Sequence, residues 1–346
     1  MMDRVSPAGT AIGRQASLQA LQAQLARSTA EMSSGRKSDP TRELGVGASL
    51  LYRLHDDVQQ GGALKNSASL AGERLKTMQT AMTAIGSVMT DMSAQILQAD
   101  ALKQQSYATL AADTPDVMAS IADLLNTDFQ GQKVFGGTDS AARPVDAIAQ
   151  LPAQAKALLD AAVAANGGAP LGAAEAAGLL DDIAAIFGGP GSDFHARYYG
   201  SSSTSGDGDP NLVRIGEGQT LAYDVRADNS AFQDAFQALA LCSLLGSEGL
   251  SDEAKVVVAD RAGERMRGAQ ASLTTLSGTL GSKQARLERV AGIQARTVDA
   301  TTAQINDLEA ADYYTLSDQV NAMQIQLQAT YAITAQLSKL SLVNYL

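Results

Sequence analysis

The chain has 346 residues and a formal net charge of -11, and it is 45% hydrophobic with only 4% aromatics and no tryptophan. An acidic excess of this size argues against a nucleic-acid partner, whose phosphates call for a basic face, and against attraction to anionic lipid. Apolar bulk supplied by Ala, Leu, Val and Met suits long packed helices better than a compact enzyme core.

Residues 11–34 predict an amphipathic helix, with Leu18, Leu21, Leu25 and Met32 in heptad register and Ser28 filling the intervening place. The stretch before it, MMDRVSPAGTAIGR, has no apolar run of the kind a secretory signal needs, so release from the cell would require a dedicated export route. Gly35 and Pro40 end the first helix. A second is expected from near Ala48 to about Ala108, with an irregularity at Gly61-Gly62. Within it Leu64, Ala68, Ala71, Leu75, Met78, Met82, Ile85, Met89, Met92, Ile96 and Ala99 alternate four- and three-residue steps, the signature of a coiled-coil seam. So long a seam needs a partner, and the predicted one is the C-terminal helix returning alongside. Asp113-Thr114-Pro115 predicts a third helix with Pro in its first turn, carrying Val117, Ile121, Leu124 and Leu125 to near Phe129.

From Gly131 to Asn229 the chain turns rich in Gly, Ala, Ser and Pro. Two Ala-rich helical patterns are expected, over 146–165 and 173–187. Val213 and Ile215, then Leu221, Tyr223 and Val225, alternate with polar residues about Gly216 and Gly218, which predicts a β-hairpin. Helix resumes at Ser230 with Phe232, Phe236 and Leu239 on one face, and Ser251-Asp252-Glu253 opens a proline-free stretch to the end. Its seam positions are Leu273, Leu276, Leu280, Leu287 and Val290, then Ile305, Leu308, Leu316, Val320, Met323, Leu327, Leu337 and Leu340. Leu340, Leu342, Val343, Tyr345 and Leu346 make an apolar tip suited to an interface. The longest uncharged run, 319–338, holds too many glutamines to cross a bilayer.

These elements predict a mainly α fold, a long antiparallel helical coiled coil or bundle formed by both chain ends, with a smaller inserted α+β domain. Residues 1–45 and 300–346 read as terminal assembly helices, 46–135 and 231–299 as a helical bundle, and 136–230 as the insert carrying the hairpin. A lone helix the length of 11–34 is marginal in water, so its stripe needs cover. The candidate interface is therefore Leu18, Leu21, Leu25 and Met32 at one end, with Leu316, Val320, Met323, Leu327, Leu337, Leu340, Leu342, Val343, Tyr345 and Leu346 at the other.

No catalytic, cofactor or metal constellation stands out. The stripe Met78, Met82, Met89 and Met92 reads as flexible core filling rather than a soft-metal site, because no Cys or His joins it. His55 is placed to pair with Asp56 or Asp57, and His195 lies in the insert; two histidines so far apart do not suggest a metal site or a nucleophile triad. Asp207-Gly208-Asp209 lacks the rest of a calcium loop. The single cysteine, Cys242, sits among helix-forming apolar residues and reads as core.

Three stretches resemble the flagellin family. LQAQLARSTAEMSSGRKSD (21–39) is similar to its N-terminal helix and Gly-Arg turn, and FQGQKVFGGTDSAARPV (129–145) to its exit from the helical region. Residues 266–288 and 305–346 are similar to its C-terminal helices, with Asp307, Leu308 and Asp312 on its short acidic motif. The Phe-Gly-Gly-Thr phrase and the Asn-Tyr-Leu ending favour its hook–filament junction members. The resemblance implies a non-enzymatic structural component of the bacterial flagellum, an adaptor at the hook–filament junction, exported by the flagellar type III route. It also implies self-association, a hook-associated neighbour on one side, flagellin on the other, an export chaperone, terminal helices loose in the monomer and an outward-facing middle domain. A filament flagellin is the alternative. A chemoreceptor-type signalling coiled coil is a remoter one. Ser201–Ser205 reads first as a loop, with the O-glycosylation found on exposed Ser and Thr of flagellin relatives as the lesser reading.

Overall fold

The computed structural model describes residues 7–102, 104–138, 141–188, 192–200, 211–223 and 225–343. In chain order the helices are α1 (Pro7–Ser34), α2 (Pro40–Leu44), α3 (Ala48–Leu102), α4 (Gln104–Leu125), α5 (Leu151–Ala165), α6 (Ala173–Ala185), α7 (Ser230–Leu244), α8 (Asp252–Glu309) and α9 (Tyr313–Val343). Strands β1 (Asp128–Phe129) and β2 (Gln132–Lys133) form one antiparallel hairpin, and β3 (Leu212–Gly216) and β4 (Gln219–Ala222) another. The chain is mainly α, with small sheets only. It divides into two compact units, one formed by the chain up to Gly62 and from Gln294 onward, the other by Ala63–Ile293.

In the first unit, α1 packs against α9. Gly35, at φ +70°, supplies the left-handed turn that ends α1, and Asp39 caps α2 by accepting from the Arg42 amide. Leu51, Leu54 and Ile305 are buried together, with Leu44, Val58 and Leu308 packed around them. Here α3 and α8 approach so closely that a Cβ on Gly61 would meet Val298 at 2.9 Å. Helix therefore runs straight through Gly61-Gly62, where an irregularity was expected. The glycine serves close helix approach, not a break.

The second unit is built on the seam. Ala68, Ala71, Leu75, Met78, Met82, Ile85, Met89, Met92, Ile96 and Ala99 are all buried, and Leu64 is half-buried. Facing them on α8 are Leu273, Leu280 and Leu287, with Leu276 and Val290 partly covered. The pairing is antiparallel: Gln79 lies against Gly281, Gly86 against Leu273, Thr90 against Gln270, and Ile96 against Gly263. The expected return of a C-terminal helix is thus made by α8.

Two local expectations need correction. Pro115 lies inside α4 rather than in a first turn. The buried Thr114 hydroxyl donates to the Leu110 carbonyl at 2.7 Å, so the turn that proline weakens keeps a side-chain bond. Phe129 does not end a helix: α4 stops at Leu125, and Gln130 (φ +54°) and Gly131 (φ +77°) form the two-residue turn between β1 and β2.

The predicted Ala-rich helices appear as α5 and α6, and the predicted hairpin as β3–β4. Residues 136–230, set apart by composition, lie within the second unit and share its core: Val145, Ile148, Leu151, Leu159, Leu179, Ile183, Phe194, Tyr198 and Ile215 belong to the same buried cluster as the α3 seam. At its centre is α7, buried around nearly its whole circumference, with α4, α5 and α6 packed on it. Phe135 meets Phe232 edge-on at 5.9 Å, and Phe194 meets Phe236 at 6.2 Å. Cys242 is fully buried, and burial pushes its thiol up to about 12.

Candidate assembly surfaces

On α9, Leu316, Val320, Met323 and Leu327 repeat the seam spacing and are buried, while Leu18, Leu21, Leu25 and Met32 of α1 remain half-buried. The pairing covers the α9 stripe more fully than the α1 stripe, so Leu18, Leu21, Leu25 and Met32 keep apolar surface that a further helix could cover. Further apolar side chains stand in solvent on the same two helices: Ile12, Ile325 and Ile333 are 69%, 67% and 56% exposed. The antiparallel register is marked by Gln22, whose Nε2 donates to the Tyr331 hydroxyl at 2.7 Å. The backbone of α9 is helical to Val343, but the side chains of Leu337, Leu340, Leu342 and Val343, like Tyr345 and Leu346, lie outside the described residues.

The Gly-Arg turn and the acidic motif, two phrases far apart in sequence, meet in this unit. Arg36 and Ala310 form an antiparallel bridge; the Lys37 amide donates to the Glu309 carbonyl at 2.9 Å and the Ala311 amide to the Gly35 carbonyl at 3.0 Å. The Arg36 guanidinium donates to Asn306 and reaches Glu309 at 3.5 Å, and Lys37 Nζ donates to the Leu308 carbonyl. Glu309 also takes His55 Nε2 at 3.2 Å, correcting the expected pairing with Asp56 or Asp57. Sequence reading missed Asn306 and Glu309. Only a basic turn and an acidic stretch at opposite chain ends hinted at the clamp.

Asp312 starts α9. Its carboxylate accepts from the amides of Tyr314 and Thr315 and, at 2.6 Å, from the Thr315 hydroxyl. The Thr315 bonds, foremost its hydroxyl, hold the Asp312 carboxyl below the usual aspartate range. A depressed folded value stabilises this turn above the unfolded pKa, and that contribution is lost as pH falls through the folded one. Two outcomes are expected. Asp312→Ala should fray the first turn of α9 at neutral pH, and in the unaltered protein the Tyr314 and Thr315 amide shifts should titrate below the ordinary aspartate value of about 3.9. Amide NMR across pH 2–6 (roughly the carboxylate range) checks both; titration at the ordinary value would contradict the cap.

Elsewhere the chemistry is structural. Met78, Met82, Met89 and Met92 fill the seam core. His195 Nε2 lies 3.4 Å from Asp228 and its Nδ1 3.3 Å from Ser192, but Asp228 is gripped by Arg226, which takes up its charge. The group braces the turn Phe194–Tyr198 against the start of α7. Among the described residues no three His, Cys, Asp or Glu side chains gather as a metal cluster, and no helix is long and apolar enough to cross a membrane. Ser201–Ser205 and Asp207-Gly208-Asp209 lie outside the described residues.

The N-terminal helical region of bacterial flagellin matches residues 5–140, and the C-terminal helical region matches 264–346. The chain belongs to the flagellin family. This flagellin-family protein is therefore a structural component of the flagellum, of a kind that assembles with its flagellar neighbours outside the cell. Its matched regions contain α1, α9, the Gly-Arg clamp and most of the α3–α8 seam, whereas α5, α6, the β3–β4 hairpin and α7 fall between them. A solved structure described as a flagellar hook-associated protein from Vibrio parahaemolyticus shares the fold at a TM-score of 0.54 and 12% identity, over 77% of this chain and 99% of that one. Comparison with curated proteins finds no match.

Proposed function

We infer that this flagellin-family protein is the adaptor at the hook–filament junction, packing by its terminal helices between a hook-associated neighbour and flagellin. The observation that carries the reading is that nearly the whole length of a hook-associated chain is matched by this fold. The Phe135-Gly136-Gly137-Thr138 phrase supports it. Phe135 is fully buried, its carbonyl accepts from the Ala227 amide at 3.0 Å, and Gly137, at φ +65°, accepts from Asn211 at 2.8 Å. The residues proposed to meet neighbouring subunits are Leu18, Leu21, Leu25 and Met32 with the α9 stripe and the C-terminal tip. The same apolar helices are what an export chaperone would cover before type III secretion.

Localisation tests this. A small epitope tag in the β3–β4 turn of the chromosomal copy should mark one short band at the filament base. Deleting the gene should release unpolymerised flagellin into the medium. Label along the whole filament would overturn the junction reading in favour of a filament flagellin.

A further inference from the structure

Among the described residues, one buried side-chain nitrogen or oxygen has no hydrogen-bond partner: Nε of Arg74. Arg74 is 8% exposed, and no carboxylate pairs with it among the described residues. Its Nη2 donates to the Lys133 carbonyl at 2.9 Å, and its Nη1 makes only a long 3.4 Å contact with the exposed Gln132 amide. Two other sheltered arginines, Arg226 and Arg265, pair with Asp228 and Asp234. The neighbouring Glu73 gives no help, because it lines a separate groove facing Gln284 and Glu288 of α8. A buried guanidinium without a counter-charge is an unfavourable state that a carboxylate relieves.

Arg74 forms one wall of a cleft of about 340 Å³ lined also by Leu70, Phe129, Gln132, Leu212 and Arg214, with no acidic residue among the described residues of its lining. Leu70 and Leu212 are 51% and 59% exposed beside it. Among the described residues β3 pairs only with β4, and its other edge has no strand partner. Two guanidiniums, two exposed leucines and this strand edge together suit an extended segment that carries Asp or Glu among apolar residues.

We propose that this cleft receives an extended carboxylate-bearing segment of a second copy of this chain, its carboxylate pairing with Arg74 and Arg214. A second copy fits the charge, since the chain carries 37 acidic against 26 basic residues. Proteins of this family also stand against their own kind in the assembled organelle. Gln132, held by its long contact, is the side chain that gives way. The contact is separate from the terminal-helix packing, and it holds whether the protein sits at the junction or along the filament.

The test places photoreactive benzoylphenylalanine at position 70 or 212 of the full-length protein assembled on cells. Irradiation should give a covalent dimer of this chain, with the link mapped beside an Asp or Glu. Arg74→Gln should lower dimer yield at least tenfold, and Arg74→Lys, which keeps the charge but loses the planar fork, should lower it less. Because Arg74 also holds the β1–β2 hairpin, a second arm leaves it untouched: changing the mapped acid to its amide should reproduce the loss with an unchanged melting temperature. Links only within one chain, links to a different protein, no link at all, or a yield indifferent to both changes would each overturn the proposal.

Discussion

Ile85→Asp is expected to abolish folding of the Ala63–Ile293 unit. Ile85 is fully buried at the middle of the α3 seam, where Met82 and Met89 flank it. Truncation to Ala should cost about 2–5 kcal/mol through lost transfer and a residual cavity, which a domain of ordinary stability survives. A carboxylate at the same place has no cationic partner in the seam, so its desolvation adds a penalty beyond the range of tolerated substitutions. Cys242 supplies the readout. Its thiol is sealed in the same core, and burial pushes it up to about 12, so a thiol reagent should label it only as the unit opens. The expected order is slow labelling in the unaltered protein, faster in Ile85→Ala, and immediate in Ile85→Asp. Leu97→Asp, on the 69% exposed face of the same helix, should change stability by less than about 0.5 kcal/mol. Equal labelling of Ile85→Asp and the unaltered protein would show that the seam is not the core.

The seam was legible because a coiled coil writes its contacts at fixed steps: ten of the eleven positions picked by spacing are buried, and Leu64 is half-covered. Elements governed by local propensity were legible for the same reason. Alanine-rich α5 and α6 fall where their helical pattern puts them, and β3 holds the alternating Val213 and Ile215. Strand β4 (Gln219–Ala222) starts earlier than the alternation of Leu221, Tyr223 and Val225 suggests and leaves Tyr223 and Val225 outside it. Pro115 misled because a proline suitable for a first turn can also sit inside a helix, here beside Thr114, whose hydroxyl bonds back to the Leu110 carbonyl. The β1–β2 turn was invisible because Gln130 is not a residue that announces a positive φ.

The clamp and the cleft were beyond sequence reading for a deeper reason. Arg36 with Glu309, and Arg74 with no acid among the described residues, are long-range facts about which charges meet after folding, and no spacing rule encodes them. The 136–230 segment illustrates the difference between texture and energetics. Its Gly- and Ser-rich composition marks where the chain changes character, yet Leu151, Leu159 and Phe194 bury their side chains in the core that holds α7 and the α3 seam. That shared core ties the segment to the second unit, a fact its composition does not reveal.

Leu25→Asp combined with Leu327→Asp is expected to stop assembly while leaving the Ala63–Ile293 unit folded. Leu327 is 8% exposed and Leu25 half-buried in the α1–α9 pairing. Each large side chain buried there contributes on the order of 1.5–3 kcal/mol, and neither helix holds much helicity alone. Two carboxylates in this stripe should therefore separate α1 from α9, breaking the Gln22–Tyr331 contact and loosening the amides around it. Hydrogen exchange should rise along both helices, whereas Cys242 should stay as protected as before, because it belongs to the other unit. In cells the variant should be exported but not incorporated, with flagellin shed into the medium. Pairing Leu25→Asp with Leu327→Lys should restore part of the helix pairing, if the two positions face each other in the assembled stripe. Unchanged exchange together with normal filaments in the double-aspartate variant would remove the terminal stripe from the assembly mechanism and leave the subunit contacts to the Ala63–Ile293 unit.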